Sequence, residues 1–543
     1  MTRLIRIGVA ALALAAANPA FAGDSQDFSG CDGRMKPKSK DDGMRGEAST
    51  ETFSYFGSMP GNQSMRIEAC NRALANPKLL PTQALRRAHL LRARAASYLE
   101  AGKTTEALTD LDAAEAANTE HAQDPLYRRS MGVSLLLLRA IATAQGGDPI
   151  GAAKLAEDAQ ALRPYALQVQ MAAATIRHTA RPNGARSPSP WGMVAQIDPG
   201  AASTMLLREA EIGNFAQVVA LAKARPIILA GDASTGLNAF SIGSTATEIT
   251  TDFGQAAIVA YAQAATGDVA AAKATLAAVR SKIDAFGQPQ PAAPALPGTL
   301  LPPSMSTIIA GLVEPYLRVA DARIALAESR PADALTSFES GKLVLNYATV
   351  DLLQQLRASP GITVKLPAPE ELTKLLEADR EKSLGRMASV LLIAPESQRT
   401  LIDYQKSRPN ILGALVGGAL TMGISLLGGI ERTAGFRSSN NPDGTVKIEY
   451  VGNTSSAPMV QEMTLLRAAE LARAAGKSAF MLVDRKDYSR YMVTSMGGME
   501  RSRTPIGFKT ELVVRYLDDA KGNPAALDVV SVIDALGPFY YQN

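Results

Sequence analysis

The stretch LLRARAASYLEAGKTTEALTDLDAAEAA, residues 90–117, decides how the chain is read. Leu91, Ala95 and Tyr98 recur at helical spacing and form one stripe. After Gly102, Ala107, Leu111 and Ala114 form the stripe of a second helix. Glycine at 102 gives the backbone the freedom a tight turn needs. Alanine at 95 and 107 lets two antiparallel helices approach closely. The pattern returns 45 residues on, at Leu136, Ala140, Gly147, Ala152, Ala156 and Ala159, and there Pro164 closes the unit. Spacing therefore predicts a mainly α chain of helical hairpins.

This spacing resembles the tetratricopeptide repeat, a helix-turn-helix unit that stacks into a solenoid with a period of about 34 residues. The two copies are further apart than that, with extra residues around TEHAQDPLYRR (119–129). An earlier stretch, RIEACNRALANP (66–77), is similar to the second helix of a preceding unit. Ala260, Gly267, Ala272 and Leu276 repeat the spacing, and Ala322, Ala334 and Phe338 repeat it without the turn glycine. The alternative is an alanine-rich helical array of no named type. The resemblance implies that the first helix of each unit lines a concave groove for extended or helical peptides. By that register the groove candidates are His89, Arg92, Ala96, Leu99 and Glu100, then Ser134, Leu137, Ile141, Ala144 and Gln145. Arg92 would pair with a carboxylate of the bound peptide. The alternative is that Arg92 and Glu100 only solvate their helix.

Around this centre the chain divides as follows. Residues 1–22 contain a basic start (Arg3, Arg6), an apolar run and Ala20-Phe21-Ala22, the build of a secretory signal peptide cleaved after Ala22. The alternative is an uncleaved anchor, for which the apolar run is short. The pattern is that of a bacterial export signal, so the periplasm or cell envelope is expected. Residues 23–64 read as an irregular lead-in, 65–180 as tetratricopeptide-like repeats and 181–199 as a linker. Residues 200–400 read as a second helical region with a proline-rich insert at 286–303, which cannot be continuous helix.

The only two cysteines, Cys31 and Cys70, are expected to form a disulfide in an oxidising compartment. The formal net charge of +4 includes Arg3 and Arg6, so the cleaved chain is nearly neutral. That argues against a nucleic-acid partner.

Residues 401–434 are glycine-rich, and ILGALVGGALTMGISLLGGI (411–430) carries no charge. Its length suits a membrane span, and Gly413 and Gly417 form a GxxxG. A packed or membrane-associated segment is the alternative. From 435 to 543 a small α/β (α+β) domain is expected. Val446, Ile448 and Tyr450 alternate as a strand after the turn NNPDG. Met463 to Ala475 read as a helix, AFMLVD and FKTELVVRYLD as strands, and ALDVVSVIDALGP as a last helix stopped by Gly537 and Pro538 or as a strand. LLRAAELARAAGKSAFMLVDRKDY (465–488) is similar to a small domain of uncharacterised alphaproteobacterial envelope lipoproteins, although no lipid-bearing cysteine is present here.

No HExxH, GxSxG or GxxxxGK[ST] occurs. SNNPDGTVKIEY lacks the acid a calcium loop needs at its twelfth position, where Tyr450 stands. No metal and no cofactor are expected. The function expected is a non-enzymatic interaction scaffold whose partners are other envelope proteins or peptides. The alternatives are an envelope hydrolase with a site near Asp484, Lys486 and Asp487, where DRKDYSR otherwise reads as a solvated turn, or a membrane-anchored subunit of a secretion or surface assembly held through 411–430.

Overall fold

The computed structural model describes residues 24–37, 44, 63–181, 189–224, 227, 229, 242–285, 305–339, 344–362, 366–397, 435–453, 455–496 and 499–541. The leader (1–22), the insert 286–303 and the apolar stretch 411–430 lie outside the described residues.

The chain is mainly helical, with a small antiparallel sheet at its C-terminal end. It opens on α1 (Asp24–Asp32) and α2 (Gln63–Ala75), which the Cys31–Cys70 disulfide joins. Spacing predicted an irregular lead-in to residue 64, but α1 is a helix packed on α2 and on the third helix. The disulfide supplies the tie that its own weak amphipathicity does not.

Five helical hairpins follow. They are α3 (Ala84–Glu100) with α4 (Thr104–Ala116) and, after the one-turn α5 (Pro125–Tyr127), α6 (Val133–Gln145) with α7 (Pro149–Leu162). α8 (Leu167–Thr179) and the short α9 (Gly192–Ile197) lead to α10 (Ala201–Glu211) with α11 (Phe215–Ala224). Next come α12 (Ile242–Ala265) with α13 (Val269–Ala285), and α14 (Met305–Ala327) with α15 (Pro331–Glu339). α16 (Tyr347–Ala358) and α17 (Pro369–Met387) end the helical part. Ala95, Ala107, Leu111 and Ala114 are fully buried, as are Ala140, Ala152, Ala156 and Ala159. Small side chains thus form each hairpin seam.

Every hairpin turns in the same way. Gly102, Gly147, Gly213 and Gly267 take left-handed φ values of 70, 88, 74 and 95°. The N–H of the next residue reaches five positions back, as in Lys103 N–H to the Tyr98 carbonyl (2.8 Å) and Asp268 N–H to the Gln263 carbonyl (2.8 Å). This pairing caps the last carbonyls of the first helix. The turns fall at 102, 147, 213, 267 and 329, so the hairpins are not copies of one fixed-length unit. The fifth turn has no glycine: Ser329 itself sits at φ 61°. A side chain there is strained, so Ser329→Gly raises stability by about 0.5–1 kcal/mol, after the greater freedom of unfolded glycine is allowed for. A urea midpoint that stays put or falls would contradict this.

The sheet is ordered β1-β2-β4-β3-β5. Its strands are β1 (Gly435–Asn440), β2 (Val446–Gly452), β3 (Ala479–Met496), β4 (Met499–Leu517) and β5 (Ala526–Asp528), and every listed pairing is antiparallel. Val446, Ile448 and Tyr450 face the core as the alternation predicts. α18 (Ala457–Ala474) and α19 (Val529–Tyr540) cover that face. Two expectations are corrected. DRKDYSR is not a turn but the middle of β3, paired with β4 from Asp484 onward across a register shift. The last helix does not stop at Gly537 and Pro538 but runs through them to Tyr540. Pro538 lies in the final turn, where the lost hydrogen bond matters least.

The largest core bridges the two parts. Trp191, Val194 and Ile197, within the stretch that composition assigns to a linker, pack together with Leu167 of α8, Phe480 and Leu482 of β3 and α18 residues. The helical hairpins and the sheet therefore share one core.

Candidate interaction face of the helical hairpins

The groove candidates lie on α3 and α6, and the structure shows what covers them. His89, Arg92, Ala96, Leu99, Ser134, Leu137 and Ile141 are all fully buried. Glu100 is partly buried, 3.8 Å from Arg66, and Ala144 and Gln145 are partly buried. The face expected to stand open to a partner is filled by the chain's own residues 384–396. Leu384, Ala388, Leu391, Ile393 and Ala394 are buried in the same core as α3 and α6. Arg92 likewise does not face solvent: its guanidinium donates to the Ile393 carbonyl (3.0 Å).

The segment is held largely through its main chain. Ser134 Oγ donates to the Leu391 carbonyl and Gln168 Nε2 to the Val390 carbonyl. The Glu396 N–H donates to Ser130 Oγ (3.0 Å). Where α17 meets α3 only glycine fits, because a Cβ on Gly385 would come within 2.9 Å of the Leu99 carbonyl oxygen.

His89 belongs to a buried polar knot that ties the lead-in to this face. Arg92 Nη2 lies 2.6 Å from its Nδ1 and Arg34 Nε lies 3.2 Å from its Nε2. Asp32 accepts from Arg86 (3.0 Å) and sits 3.7 Å from His89 Nε2. Burial, and then the positive charges of Arg92, Arg34 and Arg86, hold the His89 pKa well below its ordinary value. Burial likewise lowers that of His178, against the opposing pull of Glu211. A lowered folded pKa means that the unfolded chain binds the proton more readily as pH falls below the unfolded value of about 6.5. The stabilisation is therefore complete above that value and is lost below it. Between pH 7.5 and 5.5 the unfolding free energy should fall by up to about 1.4 kcal/mol for each histidine per pH unit below that point. His89→Gln should flatten the dependence. Urea titrations at the two pH values check both, and equal slopes in the two proteins would refute the assignment to His89.

A second buried knot fastens the segment and the sheet domain together. The residues after TEHAQDPLY form a π-helical turn, Arg128–Gly132, which carries Arg129. The guanidinium of Arg163 donates to Glu462 Oε1 through Nε (2.9 Å) and to Glu396 Oε1 through Nη2 (2.8 Å). Arg129 donates to Glu462 Oε2, and its guanidinium stacks 4.2 Å above the Phe539 ring. Tyr540 Oη donates to Glu462 Oε2 (2.7 Å), and Ser456, the N-cap of α18, donates to Glu396 Oε1 (2.7 Å). Burial alone would raise the Glu462 pKa, but Arg129 and Arg163 hold it below the ordinary carboxylate value. Two buried cations thus face two buried carboxylates contributed by α18 and the 384–397 strip. Sequence reading missed all of these residues. The one trace of them was the extra length at 119–129, which builds the turn beneath Arg129.

The hydrolase candidates come out differently. Asp484 and Lys486 are exposed and pair with each other (3.4 Å). Asp487 is bound on both oxygens, accepting from Gln461 (3.0 Å), Arg485 (2.9 Å) and Thr510 (2.6 Å). It pins α18 to the sheet. No family model, curated protein or solved structure matches the chain.

Proposed function

We propose that the chain is an exported, non-enzymatic adaptor of the bacterial cell envelope, whose hairpins are of tetratricopeptide type and whose partners are other envelope proteins or peptides. The observation that supports this reading is the strip 388–396 on α3 and α6. Helical hairpins here hold a non-helical segment through side-chain bonds to main-chain carbonyls, from Arg92, Ser134 and Gln168. Such bonds grip a backbone with little regard to its side chains, which is how a surface accepts a peptide. The sheet domain, locked to the same strip through Glu396, is then presented in a fixed orientation.

The test is expression of the full chain, with its own first residues, in a bacterial host. The expected result is a mature product beginning at Gly23, released from the envelope with a specific cross-linked protein partner. Retention of the uncleaved leader in the cytoplasm contradicts the reading. So does a hydrolytic activity of the purified chain that Asp484→Ala abolishes.

A further inference from the structure

Two clefts meet beside α10 where it packs on α12. One, of about 600 Å³, lies between these helices and the sheet domain, with Leu206, Leu221, Ile227 and Met481 in its walls. The other, of about 480 Å³, is walled by Ile258, Leu312, Tyr316, Leu345 and Tyr347. Gln255 lines both. It is 6% exposed, yet its carboxamide forms no hydrogen bond to any described residue. Buried polar groups are ordinarily paired, so an unpaired carboxamide at the meeting point of two clefts is a group waiting for a partner. The rim carries a second sign. Leu312 and Leu345 are 51% and 46% exposed, large apolar side chains placed beside an apolar opening.

The chemistry of the occupant follows from these groups. A carboxamide offers a donor and an acceptor side by side, the complement of a peptide group. The walls on either side of it are apolar. We infer that the double cleft binds an extended peptide, one main-chain amide of which pairs with Gln255 while bulky apolar side chains flanking that amide enter the two clefts. This names the peptide-binding site of the adaptor and rests on that reading. It replaces the α3–α6 face, which the chain itself occupies.

The probe is a random dodecapeptide phage library panned on the intact, oxidised protein, followed by anisotropy titrations of the enriched synthetic peptide. Gln255→Met keeps the bulk of the side chain and removes its hydrogen bonds, and should weaken binding by about tenfold or more. Leu345→Ser, on the rim, should weaken it severalfold. Ile150→Ser, at a side chain 79% exposed and absent from both cleft linings, should leave it unchanged. Circular dichroism confirms that each variant is folded. Failure to enrich any peptide overturns the inference, as does a peptide that binds the Gln255 and Leu345 variants normally. If a cross-linked envelope partner is still retained by those variants, the adaptor reading survives and this site does not.

Discussion

Replacing Glu462 with alanine lowers the stability of the junction between hairpins and sheet by about 3–5 kcal/mol, the usual effect of breaking a buried ion pair from one side. The side chain is fully buried and accepts from Arg163 Nε (2.9 Å), Arg163 Nη2 (3.0 Å) and Tyr540 Oη (2.7 Å), as well as from Arg129. Without it, two guanidiniums face the single carboxylate of Glu396 in a site that excludes water. Nothing nearby can take its place, because Ser456 is itself a donor to Glu396. Glu462→Gln keeps the shape and the acceptor oxygen but not the charge, so its loss should be smaller. The chain's one tryptophan, Trp191, is buried in the core that joins the two parts and reports the event by fluorescence during urea unfolding. The folded pKa of Glu462 lies below the ordinary value, so its contribution is present above an unfolded value of about 4.3 and fades as pH falls through the folded one. A loss under about 1 kcal/mol would mean that water reaches the site and screens the pair.

The second large effect is at the other end of the face. The Cys31→Ser, Cys70→Ser double variant should lose about 4 kcal/mol, the chain-entropy value for cysteines separated by 39 positions. The consequence reaches beyond the loop. α1 carries Asp32, and Arg34 follows it, so loosening this segment takes away the groups that meet Arg86 and His89. Arg92 then stays at the Ile393 carbonyl with half of its surroundings open to water. Heating with and without reductant should reproduce the loss in the wild-type protein, and trypsin should cut at Arg34 and Arg86 only after reduction. An unchanged melting temperature and cleavage pattern on reduction would contradict the coupling.

The hairpins were legible because their signal is local. Gly102, Gly147 and Gly267 mark turns that only a left-handed residue completes, and alanines at helical spacing mark the seams. Ser329 hid its turn because the same backbone shape carries a different residue. The cysteine pair was legible from number and compartment, and the inner face of β2 from strict alternation. The filled face was not legible. Arg92 and Ile393 are 301 residues apart, and no local pattern records that the chain returns. Arginine on a helix is normally solvated, so the burial of Arg92, Arg129 and Arg163 runs against the ordinary rule and depends wholly on carbonyls and carboxylates brought from elsewhere. The length of β3 was obscured for a related reason. Past Leu482 its side chains alternate between solvent and a polar face, and Asp487 is buried only because Gln461, Arg485 and Thr510 bind it.

The account turns on the strip 388–396 occupying the face of α3 and α6 within one chain. Photo-leucine incorporated throughout the oxidised monomer, followed by irradiation and mass spectrometry, reads this directly through Leu391 and Leu392. The tryptic peptide Met387–Arg399 should be recovered joined to peptides from α3 or α6 of the same molecule, since Leu391 and Leu392 pack in that core. Recovery of that peptide unjoined, or joined only to a second molecule or to residues outside the hairpins, would show that the face is not filled in this way.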